Sequence, residues 1–483
     1  MLEKILTTLR KASRGMLIAL LVAFLPQAYG QNLEWDAVKF FQYNIENVVV
    51  RAGAPGSGTW TVRIIFSVTN PDAGTTWNIR DDLPFTSTGA NLTFDIAWDP
   101  FTDFTNTGSA NQALTQVSTK SLGAGAAMPV QVRGLQGPAG KAAPCVSLAE
   151  CPGAASFVNR YWVEAPITPV KFIKPVTTGR VAIEGRPVCN GVTGYAACPS
   201  GPTTGVYVNI PVTSAVASFA FGPADPLHAK INDPRRPIVD IAKCKGCHDG
   251  TQHGNTVVPR LGLHGGNRNE NLGLCVMCHN ANQTDVPYRT LTTPAGTAAD
   301  ARVSGDEVSI DFKRMIHSIH AGGFREKSFV VIGFQSSIND FSHVRFPKPL
   351  RDCMACHVES NGKGTFELPL QSAVLGTTVN TRSVYKVAQP QTGVPGSGQF
   401  RQINVDPNDD DKITPIAAVC SGCHDKAEVQ SHMISTGGAS FKTTQAKITG
   451  GVVRERCVSC HGPGKEEDVR RAHQIGTGGG NDD

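Results

Sequence analysis

The amino-acid sequence predicts a chain of mixed fold class, in which an N-terminal all-β Greek-key barrel or sandwich precedes a domain of short helices and long loops. Three observations lead to this prediction. Apolar residues alternate with period two in several segments between residues 31 and 221. The spacing Cys-x-x-Cys-His occurs five times, always after residue 240. A stretch rich in turn residues and charge, GPADPLHAKINDPRRP, separates the two patterns.

Strand-like alternation is clearest in two segments of the first domain. Apolar residues occupy every second position from Val62 to Val68 in TVRIIFSVT and from Val206 to Val212 in VYVNIPV. NLTFDIAW, RYWVEA, GRVAIEG and TSAVASFAF predict further strands, with turns such as GAPGSG between them. We expect an antiparallel sheet domain over residues 31–221. Nothing in it carries recognisable chemistry, so a scaffold is expected, with docking or substrate binding as the alternative.

Residues 1–30 have the organisation of a secretory signal peptide. Basic residues precede the apolar run from Met16 to Phe24, and Ala28-Tyr29-Gly30 forms a cleavage signal of small residues. The run is too short to span a bilayer, and no later stretch reaches the required length. We therefore expect an exported mature chain without a transmembrane segment. No cysteine lies near the cleavage site, so a lipid anchor is not expected there.

Ten of the fourteen cysteines belong to the five Cys-x-x-Cys-His motifs. The cysteines are Cys244, Cys247, Cys275, Cys278, Cys353, Cys356, Cys420, Cys423, Cys457 and Cys460, and the adjoining histidines are His248, His279, His357, His424 and His461. Two thiols at this spacing project from one side of a helical turn, so both can bond to one porphyrin while the next imidazole reaches the iron. The motif is the signature of covalent haem c attachment. Zinc sites also use Cys-x-x-Cys pairs, but they do not require a histidine after every second cysteine.

The sequence therefore predicts five haem c groups with these five histidines as proximal iron ligands. Only about fifty residues are available per haem, which is too few for an ordinary apolar core. We expect the haems themselves to form the interior of a pentahaem domain over residues 240–475. Residues 222–239 are the predicted linker, and residues 476–483 are a predicted disordered tail.

The other four cysteines are expected to form disulfides, because the chain is exported to an oxidising compartment. Two short loops, CVSLAEC and CNGVTGYAAC, suggest the pairs Cys145 with Cys151 and Cys189 with Cys198. Free thiols are the alternative.

Net charge gives no support for nucleic-acid binding. The full sequence has 45 Lys and Arg against 40 Asp and Glu, a net charge of +5. Removal of residues 1–30 takes away four basic residues and one acidic residue and leaves +2. Five oxidised haems add roughly −5 through their propionates, so the mature protein is expected to be mildly acidic.

Each haem iron also has a second axial position, and the ligand there separates an electron carrier from a catalyst. Outside the motifs the sequence offers eight histidines for five such positions. They are His228, His253, His264, His317, His320, His343, His432 and His473. Five bis-histidine haems can therefore be formed, which favours low-potential electron transfer.

The segment IDFKRMIHSIHAGG predicts a short helix with two of these histidines on one face. Ser309 or Asp311 can cap it, apolar residues recur with helical spacing, and Gly322 can stop it. The Cβ atoms of His317 and His320 are then about 5–6 Å apart. Two imidazoles that leave the same side of one helix cannot occupy opposite faces of one porphyrin. We therefore expect His317 and His320 to serve two different haems.

An acidic segment offers a weak calcium pattern. In DPNDDD, the residues Asp406, Asn408 and Asp410 have the spacing of a calcium-binding loop, but the glycine at position six and the closing glutamate are absent. A solvated acidic turn is the alternative to Ca²⁺.

Several linked stretches between Asp240 and His473 carry a resemblance to a known family. They are VDIAKCKGCH, LHGGNR with LCVMCHN, IDFKRMIHSIHAG, FPKPLRDCMACH, VCSGCHDKAEVQSHM, and CVSCHGPGKEEDV with a following RAH. With them the chain resembles the outer-membrane multihaem c-type cytochromes of metal-reducing bacteria, the OmcA/MtrC decahaem family. The resemblance implies one Greek-key barrel beside one pentahaem domain, half of a decahaem protein. One family barrel carries a cysteine pair with the spacing of Cys189 and Cys198.

The resemblance also implies which histidines are distal iron ligands. They are His264, His317, His320, His432 and His473. Three histidines, His228, His253 and His343, are then left for surface or hydrogen-bonding roles.

These observations predict a cytochrome that carries electrons through five bis-histidine haems to extracellular acceptors such as metal oxides, metal ions or flavins, in anaerobic respiration. Expected partners are periplasmic or outer-membrane cytochromes or a porin complex. The expected location is the outer-membrane surface, the extracellular space or the periplasm. Action as a terminal metal reductase stays open. Alternatives are a multihaem oxidoreductase with one open haem for a small nitrogen or sulfur substrate, and a subunit of a haem filament.

Overall fold

The computed structural model describes residues 35–55, 60–99, 130–135, 142–154, 156–167, 177–189, 208–222, 230–232, 237–253, 256–289, 305–333, 337–360, 363–364, 374–390, 398–404 and 408–475. Within these ranges most of the regular structure is β-strand, and the helices are short. The mixed fold class predicted from the sequence is therefore confirmed. No helix among the described residues is long and apolar enough to cross a bilayer. We call residues 35–232 the sandwich region and residues 237–475 the motif region.

The sandwich region is built almost entirely from strands. They are β1 (Gln42–Ala52), β2 (Trp60–Asn70), β3 (Thr75–Thr76), β4 (Asn91–Asp99), β5 (Val130–Arg133), β6 (Ala143–Pro144), β7 (Arg160–Ile167), β8 (Thr177–Arg186), β9 (Val188–Cys189), β10 (Val208–Asn209), β11 (Ala215–Phe221) and β12 (Lys230–Ile231). The helical elements are a 3-10 helix (Asp36–Phe40) and α1 (Leu83–Thr86).

These strands form two five-stranded antiparallel sheets and one separate pair. The first sheet has the order β1-β2-β7-β6, with β3 paired to β2, and the second has the order β12-β11-β8-β4-β5. The separate pair consists of β9 and β10. Among the described strands, no backbone ladder pairs one large sheet with the other. A side-chain bond from Lys230 Nζ of β12 to the carbonyl of Ile45 of β1, at 2.9 Å, does join them. The arrangement is thus the sandwich of the two predicted alternatives, and no described pairing closes it into a barrel.

One apolar core lies between the two sheets. Alternation along β2 and β4 buries Ile64 and Phe66 from the first sheet against Phe94 and Ile96 from the second. The rings of Phe66 and Phe94 have centroids 4.5 Å apart. Phe219 of β11 is fully buried in the same cluster. The period-two pattern in the sequence therefore has its expected cause, a buried face on each strand.

The disulfide-bonded cysteines lie around this core. Cys145 and Cys151 form a disulfide that packs with Ile65 on the outer face of the first sheet. Cys189 lies in the core and is also disulfide-bonded. Its predicted partner, Cys198, lies outside the described residues, as do residues 1–30 and 476–483.

One predicted strand is wrong over most of its described length. Of the described part of the segment from Val206 to Val212, residues 208–212, only Val208–Asn209 forms a strand. Pro211 has no amide N–H to donate, so it interrupts a hydrogen-bonded ladder at this point. Ile210 and Val212 are nevertheless buried in the core. The alternating pattern thus identified burial correctly but not regular pairing.

The motif region contains short helices and two-stranded pairs. The helices are α2 (Ile241–Lys245), α3 (Leu272–Cys278), α4 (Phe312–His320), α5 (Pro415–Cys420), α6 (Ala427–Ser435), α7 (Gln445–Thr449), α8 (Val458–His461) and α9 (Val469–Ala472), with 3-10 helices Val286–Tyr288, Gly322–Phe324 and Cys353–Ala355. The strands are β13 (Gln252–His253), β14 (Thr256–Val257), β15 (Gly262–Leu263), β16 (Arg268–Asn269), β17 (Val330–Ile332), β18 (Ile338–Asp340), β19 (Glu359–Ser360), β20 (Lys363–Gly364), β21 (Thr377–Asn380), β22 (Val384–Pro390), β23 (Gly398–Asn404) and β24 (Asp411–Ile413). Each strand pairs with one other, and β21 pairs with β24.

Helix α4 coincides with the predicted helix, but its ends differ from the expectation. Asp311 stands at the N-cap position without a side-chain capping bond. Its carboxylate instead accepts hydrogen bonds from Lys313 and from Thr377 Oγ1. Gly322 begins a 3-10 helix and does not end the helical path. A Cβ on Gly322 would lie 2.0 Å from the carbonyl oxygen of Phe341, so close packing explains this glycine better than helix termination.

The two regions share an interface. Leu274 and Met277 of α3 are buried against Ala97 of β4 and Ala182 of β8 on the outer face of the second sheet. The guanidinium of Arg180 donates a 2.8 Å hydrogen bond to the carbonyl of Gly273 at the start of α3. The helix that carries the second motif therefore rests directly on the sandwich region.

Candidate haem sites

Every Cys-x-x-Cys-His motif forms one closed helical turn. In all five copies the histidine amide donates a hydrogen bond to the carbonyl of the first cysteine, at N···O distances of 2.8–2.9 Å. This i to i+4 bond is the bond of an α-helical turn. The turn brings the two thiols and the imidazole of each motif to one locality, as covalent attachment of a porphyrin beside its iron ligand requires.

Each motif histidine faces one histidine from elsewhere in the chain. The pairs, with the distance between ring centroids, are His248 with His320 (6.2 Å), His279 with His264 (6.1 Å), His357 with His317 (6.2 Å), His424 with His473 (6.1 Å) and His461 with His432 (6.2 Å). We name each candidate site by its motif histidine. The five facing residues are the five histidines that the family resemblance implied as distal ligands.

The spacing within these pairs fits a shared metal ion. A metal to imidazole bond is about 2 Å long, and a coordinating nitrogen lies about 1 Å from its ring centroid, so two axial imidazoles on one iron have centroids about 6 Å apart. Directly stacked or hydrogen-bonded rings would lie closer than this. The residues present therefore fit haem c at all five sites: two thiols, a proximal imidazole and a distal imidazole at the separation of axial ligands.

Backbone carbonyls orient many of these rings. In each case Nδ1 donates to a carbonyl oxygen, which leaves Nε2 as the metal-binding nitrogen. The bonds are His248 to Pro259 (3.0 Å), His279 to Ile310 (3.0 Å), His461 to Glu467 (3.0 Å), His317 to Lys313 (2.5 Å), His320 to Ile316 (2.9 Å) and His473 to Val469 (3.0 Å). Hydrogen bonds of this kind fix the tautomer and orientation of a metal-ligating histidine.

The two histidines of α4 face different motifs. His317 faces His357 and His320 faces His248, so one helical turn contributes to two sites. Helix α4 also packs against the fourth motif, where Gly422 leaves only room for hydrogen: a Cβ there would lie 2.8 Å from the Cβ of His317. The variable position of this motif is thus glycine because the helix with the two histidines passes over it.

His264 is presented differently from the other distal candidates. It lies in the turn that joins β15 and β16, with a φ angle of +51°. The next two residues, Gly265 and Gly266, also have positive φ angles. Non-glycine residues seldom adopt this left-handed conformation. The surrounding chain must therefore hold the turn at His264.

The electrostatic surroundings favour neutral imidazoles. Desolvation lowers the pKa of His279, His317 and His320 below the ordinary value, although a hydrogen bond to a backbone carbonyl opposes the shift in each case. The pKa of His264 falls well below its ordinary value through desolvation and then through the charge of Arg268, although part of this side chain is exposed. Only a neutral imidazole can bind a metal ion, so these shifts support ligation.

Contacts between motifs place the sites close to one another. The first and third motifs are joined because Asp240 N donates to Cys356 O at 3.1 Å and Lys243 Nζ donates to His357 O at 2.7 Å. The fourth and fifth motifs are joined through Glu455, whose carboxylate accepts from Ile416 N and Ala417 N at the start of α5. Hydrogen bonds therefore connect neighbouring sites directly.

The histidines outside these pairs have other surroundings. His253 Nε2 lies 3.1 Å from Asp249 Oδ1, in a hydrogen-bonded turn with Thr251. His343 is exposed, and His228 lies outside the described residues. In the part of the chain that the structure describes, neither His253 nor His343 faces a motif histidine.

The described residues of the predicted calcium pattern do not form a set of calcium ligands. Asp406 lies outside the described residues. Asp410 is buried and accepts hydrogen bonds from Asn404 Nδ2 at 2.7 Å and from Thr378 Oγ1 at 3.3 Å. Desolvation raises the pKa of Asp410 to about 6. Within the described ranges, no group of three or more His, Cys, Asp or Glu side chains is arranged to hold a metal ion.

Some residues that support these sites gave no sign in the sequence. Arg180, Glu184 and Arg186 of β8 all bond to the segment between His264 and Cys275. An arginine or glutamate on the polar face of a predicted strand is ordinary, and no local pattern distinguishes one that contacts a ligand-bearing loop.

Two comparisons found known proteins that are similar to this chain. Residues 236–474 match the family model for outer membrane cytochrome MtrC/MtrF-like proteins, domains II/IV. The crystal structure of the outer membrane decaheme cytochrome OmcA is similar with 19% sequence identity and a TM-score of 0.33, and the match covers 68% of this chain and 41% of that one. The chain thus spans less than half of that solved structure. No curated protein matches the chain.

Proposed function

This chain belongs to the MtrC/MtrF-like outer membrane cytochrome family through residues 236–474, and from that premise we propose that it is a c-type cytochrome that transfers electrons through five bis-histidine haems. One observation carries the proposal. Each of the five motif histidines faces a different histidine, at the centroid spacing of two axial ligands on one iron. A haem with two histidine ligands supplies one-electron redox chemistry at low potential.

The arrangement supports conduction and not substrate turnover. Catalytic haems keep one axial position open for the substrate, whereas here each motif histidine has a facing partner. Desolvation and backbone hydrogen bonds hold several of these imidazoles neutral and oriented. Such fixed ligation changes little between oxidation states, which favours electron transfer.

Helix α4 is the proposed junction of the electron path. It supplies His320 to the His248 site and His317 to the His357 site. Its first residue, Phe312, donates its amide to the carbonyl of His279 at 3.0 Å. Arg314 donates to Ala418 O of α5 at 3.2 Å, beside the fourth motif. One nine-residue helix therefore touches four of the five sites.

Partners and location are proposed from the family. Exposed haem edges would suit transfer to acceptors without a shaped pocket, and we propose extracellular metal oxides, metal ions or flavins in that role. We propose periplasmic or outer-membrane cytochromes as donors. The proposed location is outside the cytoplasm, at the outer membrane. Residues 222–239 are the proposed boundary between a sheet domain and a pentahaem domain.

The two histidines of α4 provide the sharpest test of this function. Replacement of His317 by alanine, or of His320 by alanine, should each convert about one haem in five from low-spin to high-spin in the ferric protein, measured by EPR and optical spectroscopy. The double variant should convert two haems, because the residues face different motifs. His343→Ala, at an exposed histidine, is the matched control and should leave all haems low-spin.

Two outcomes would contradict the proposal. If the double variant showed the same single high-spin haem as either single variant, the two-site assignment would be wrong. If the unaltered protein already contained one high-spin haem and bound nitrite or hydroxylamine there, an enzyme with an open haem would replace electron transfer as the function.

A further inference from the structure

We propose that the sandwich region positions the distal ligand of the His279 site, so that ligation of this one haem depends on the sheet domain. The inference rests on the proposed bis-histidine function. The distal ligand candidate is His264, which faces His279 at a centroid distance of 6.1 Å. His264 occupies the turn between β15 and β16. This turn is held by a bond within the hairpin, from Asn267 Nδ2 to the carbonyl of His264 at 2.9 Å, and by bonds from the sandwich region.

Three consecutive residues of β8 bond to the β15–β16 hairpin. The carboxylate of Glu184 accepts from Arg268 Nε, and a second bond joins Arg268 Nη2 to Glu184 Oε1 at 3.2 Å. The amide of Gly185 donates to the carbonyl of Asn267 at 2.8 Å. The guanidinium of Arg186 donates to the carbonyl of Gly265, next to His264. The turn and the strand that follows it, β16, are thus held by β8.

The alternation of side chains along β8 explains why one strand can do this. Val181 and Ile183 point into the apolar core, so the residues between and after them lie on the outer face. On that face Ala182 packs with α3, and Glu184 and Arg186 reach the hairpin. The side-chain contacts with the motif region therefore all come from one face of β8.

Gly185 allows β4, which also contacts the hairpin, to approach β8 closely. Its φ angle is +135°, in a range that L side chains rarely adopt. A Cβ at this position would lie 2.2 Å from the carbonyl oxygen of Asn91 on β4. Asn91 itself bonds through Nδ2 to Asn267 Oδ1 of the hairpin at 3.2 Å. Two strands of the second sheet consequently meet the same turn.

The base of the hairpin is held by a separate segment of the sandwich region. Asn269 donates from Nδ2 to the carbonyl of Val212 at 2.9 Å, and Ser214 N donates to Asn269 O at 3.0 Å. Asn271, at the N-cap of α3, donates to Ser214 O at 2.7 Å. The hairpin with the distal candidate and the helix with Cys275 and Cys278 therefore share one platform.

The local conformation of His264 is one that outside support would stabilise. A histidine with φ of +51° is disfavoured, and two glycines follow it, so bonds from β8 add to the bond from Asn267 Nδ2 to His264 O within the hairpin. The bonds from Arg186 to Gly265 and from Gly185 to Asn267 fix the backbone on its C-terminal side. We assign Arg186 as a positioning residue, because it acts on the haem through the placement of His264.

The test replaces Arg186 by alanine in the full-length holoprotein. Loss of the bond to Gly265 should free the turn. A detectable high-spin fraction, of at most one-fifth of the ferric haem, should then appear by EPR. Exogenous imidazole should return that fraction to low-spin. Arg186→Lys, which retains a cationic donor, should restore most of the wild-type spectrum. Arg160→Ala is the matched control: it removes an arginine paired with Glu46 on the first sheet and should leave all haems unchanged.

A companion variant, His264→Ala, separates the role of His264 as an iron ligand from the role of Arg186 in positioning it. It should produce one high-spin haem in five, and adding Arg186→Ala to it should change nothing further. If His264→Ala left every haem low-spin, the ligand assignment in the proposed function would fail and the positioning role with it. If His264→Ala behaved as expected while Arg186→Ala lowered only the unfolding temperature and left the spectrum intact, the positioning role alone would be overturned.

Discussion

The sandwich region and the motif region of this chain have different kinds of interior. In the sandwich region, one cluster of thirty-one buried residues fills the space between two sheets. The cluster around α5 and α6 in the described part of the motif region contains five buried residues. A chain must bury enough apolar surface to offset the entropy lost on folding, and the described part of the motif region buries little apolar surface. The comparison favours the proposal that attached haems supply the interior of the motif region.

Charged side chains occupy much of the remaining interior of the motif region. Arg289 and Asp285 form a bidentate ion pair in which both side chains are buried, and Asp285 also accepts from Val308 N and Ile332 N. Charged groups are rarely buried unless they are paired in this way. These bonds tie together three separate segments of the chain between the second and third motifs. Buried ion pairs thus fix the positions of loops in the motif region, whereas apolar packing holds the sandwich region together.

Removal of haem attachment should have the largest effect, because it should unfold the motif region and leave the sandwich region folded. If the ten motif cysteines are replaced by alanine in the full chain, haem cannot attach, and the motif region should lose its fixed structure. The sandwich region should keep a cooperative thermal transition by circular dichroism. Limited proteolysis should then leave a fragment that ends near the predicted linker, residues 222–239. Equal protection of both halves in the haem-free chain would show that the motif region has a sufficient interior of its own.

A core substitution should break the sandwich region alone. Phe66 is fully buried against Phe94, so Phe66→Ala should lower the free energy of unfolding by about 3–5 kcal/mol. Fluorescence of the five tryptophans, all of which lie between residues 35 and 162, reports this transition. The Soret band reports the motif region and should shift little. Val158→Ala, at an exposed position, is the control and should change stability by less than about 0.5 kcal/mol.

A buried lysine should give the motif region a distinctive pH dependence. Lys412 is fully buried, with Nζ bonded to Asn282 Oδ1 at 2.8 Å and to Thr378 Oγ1 at 2.6 Å. Desolvation lowers its pKa to about 8, below the ordinary value of 10.5. Between these values the unfolded chain binds more protons than the folded one, so stability rises with pH across this window. The increase is at most about 3 kcal/mol.

Lys412→Met should remove this pH-dependent increment. Urea denaturation followed at the Soret band, at pH 7.5 and at pH 10, measures it. Lys348→Met alters a half-exposed lysine and should retain the wild-type profile. An unchanged pH dependence in Lys412→Met would show that the lysine is charged and well solvated in the folded state.

The sequence predicted local features better than contacts between distant segments. The Cys-x-x-Cys-His spacing and the period-two pattern of β2 depend on neighbours along the chain, and both describe the structure correctly. Which motif faces His317 or His320 depends on how loops from different motifs pack, and no spacing encodes it. The bonds from Glu184 and Arg186 to the His264 hairpin have the same character. Asp311 was a plausible cap by residue type, but a long-range bond from Thr377 engages its carboxylate.

The central claim is that all five haems have two histidine ligands, and the ferric holoprotein tests it directly. Haem content per chain, measured by pyridine haemochrome absorbance, should be five, and low-temperature EPR should show only low-spin ferric haem. A haem content of five with a high-spin fraction near one-fifth would contradict the account, because one of the five facing histidines would then not bind iron.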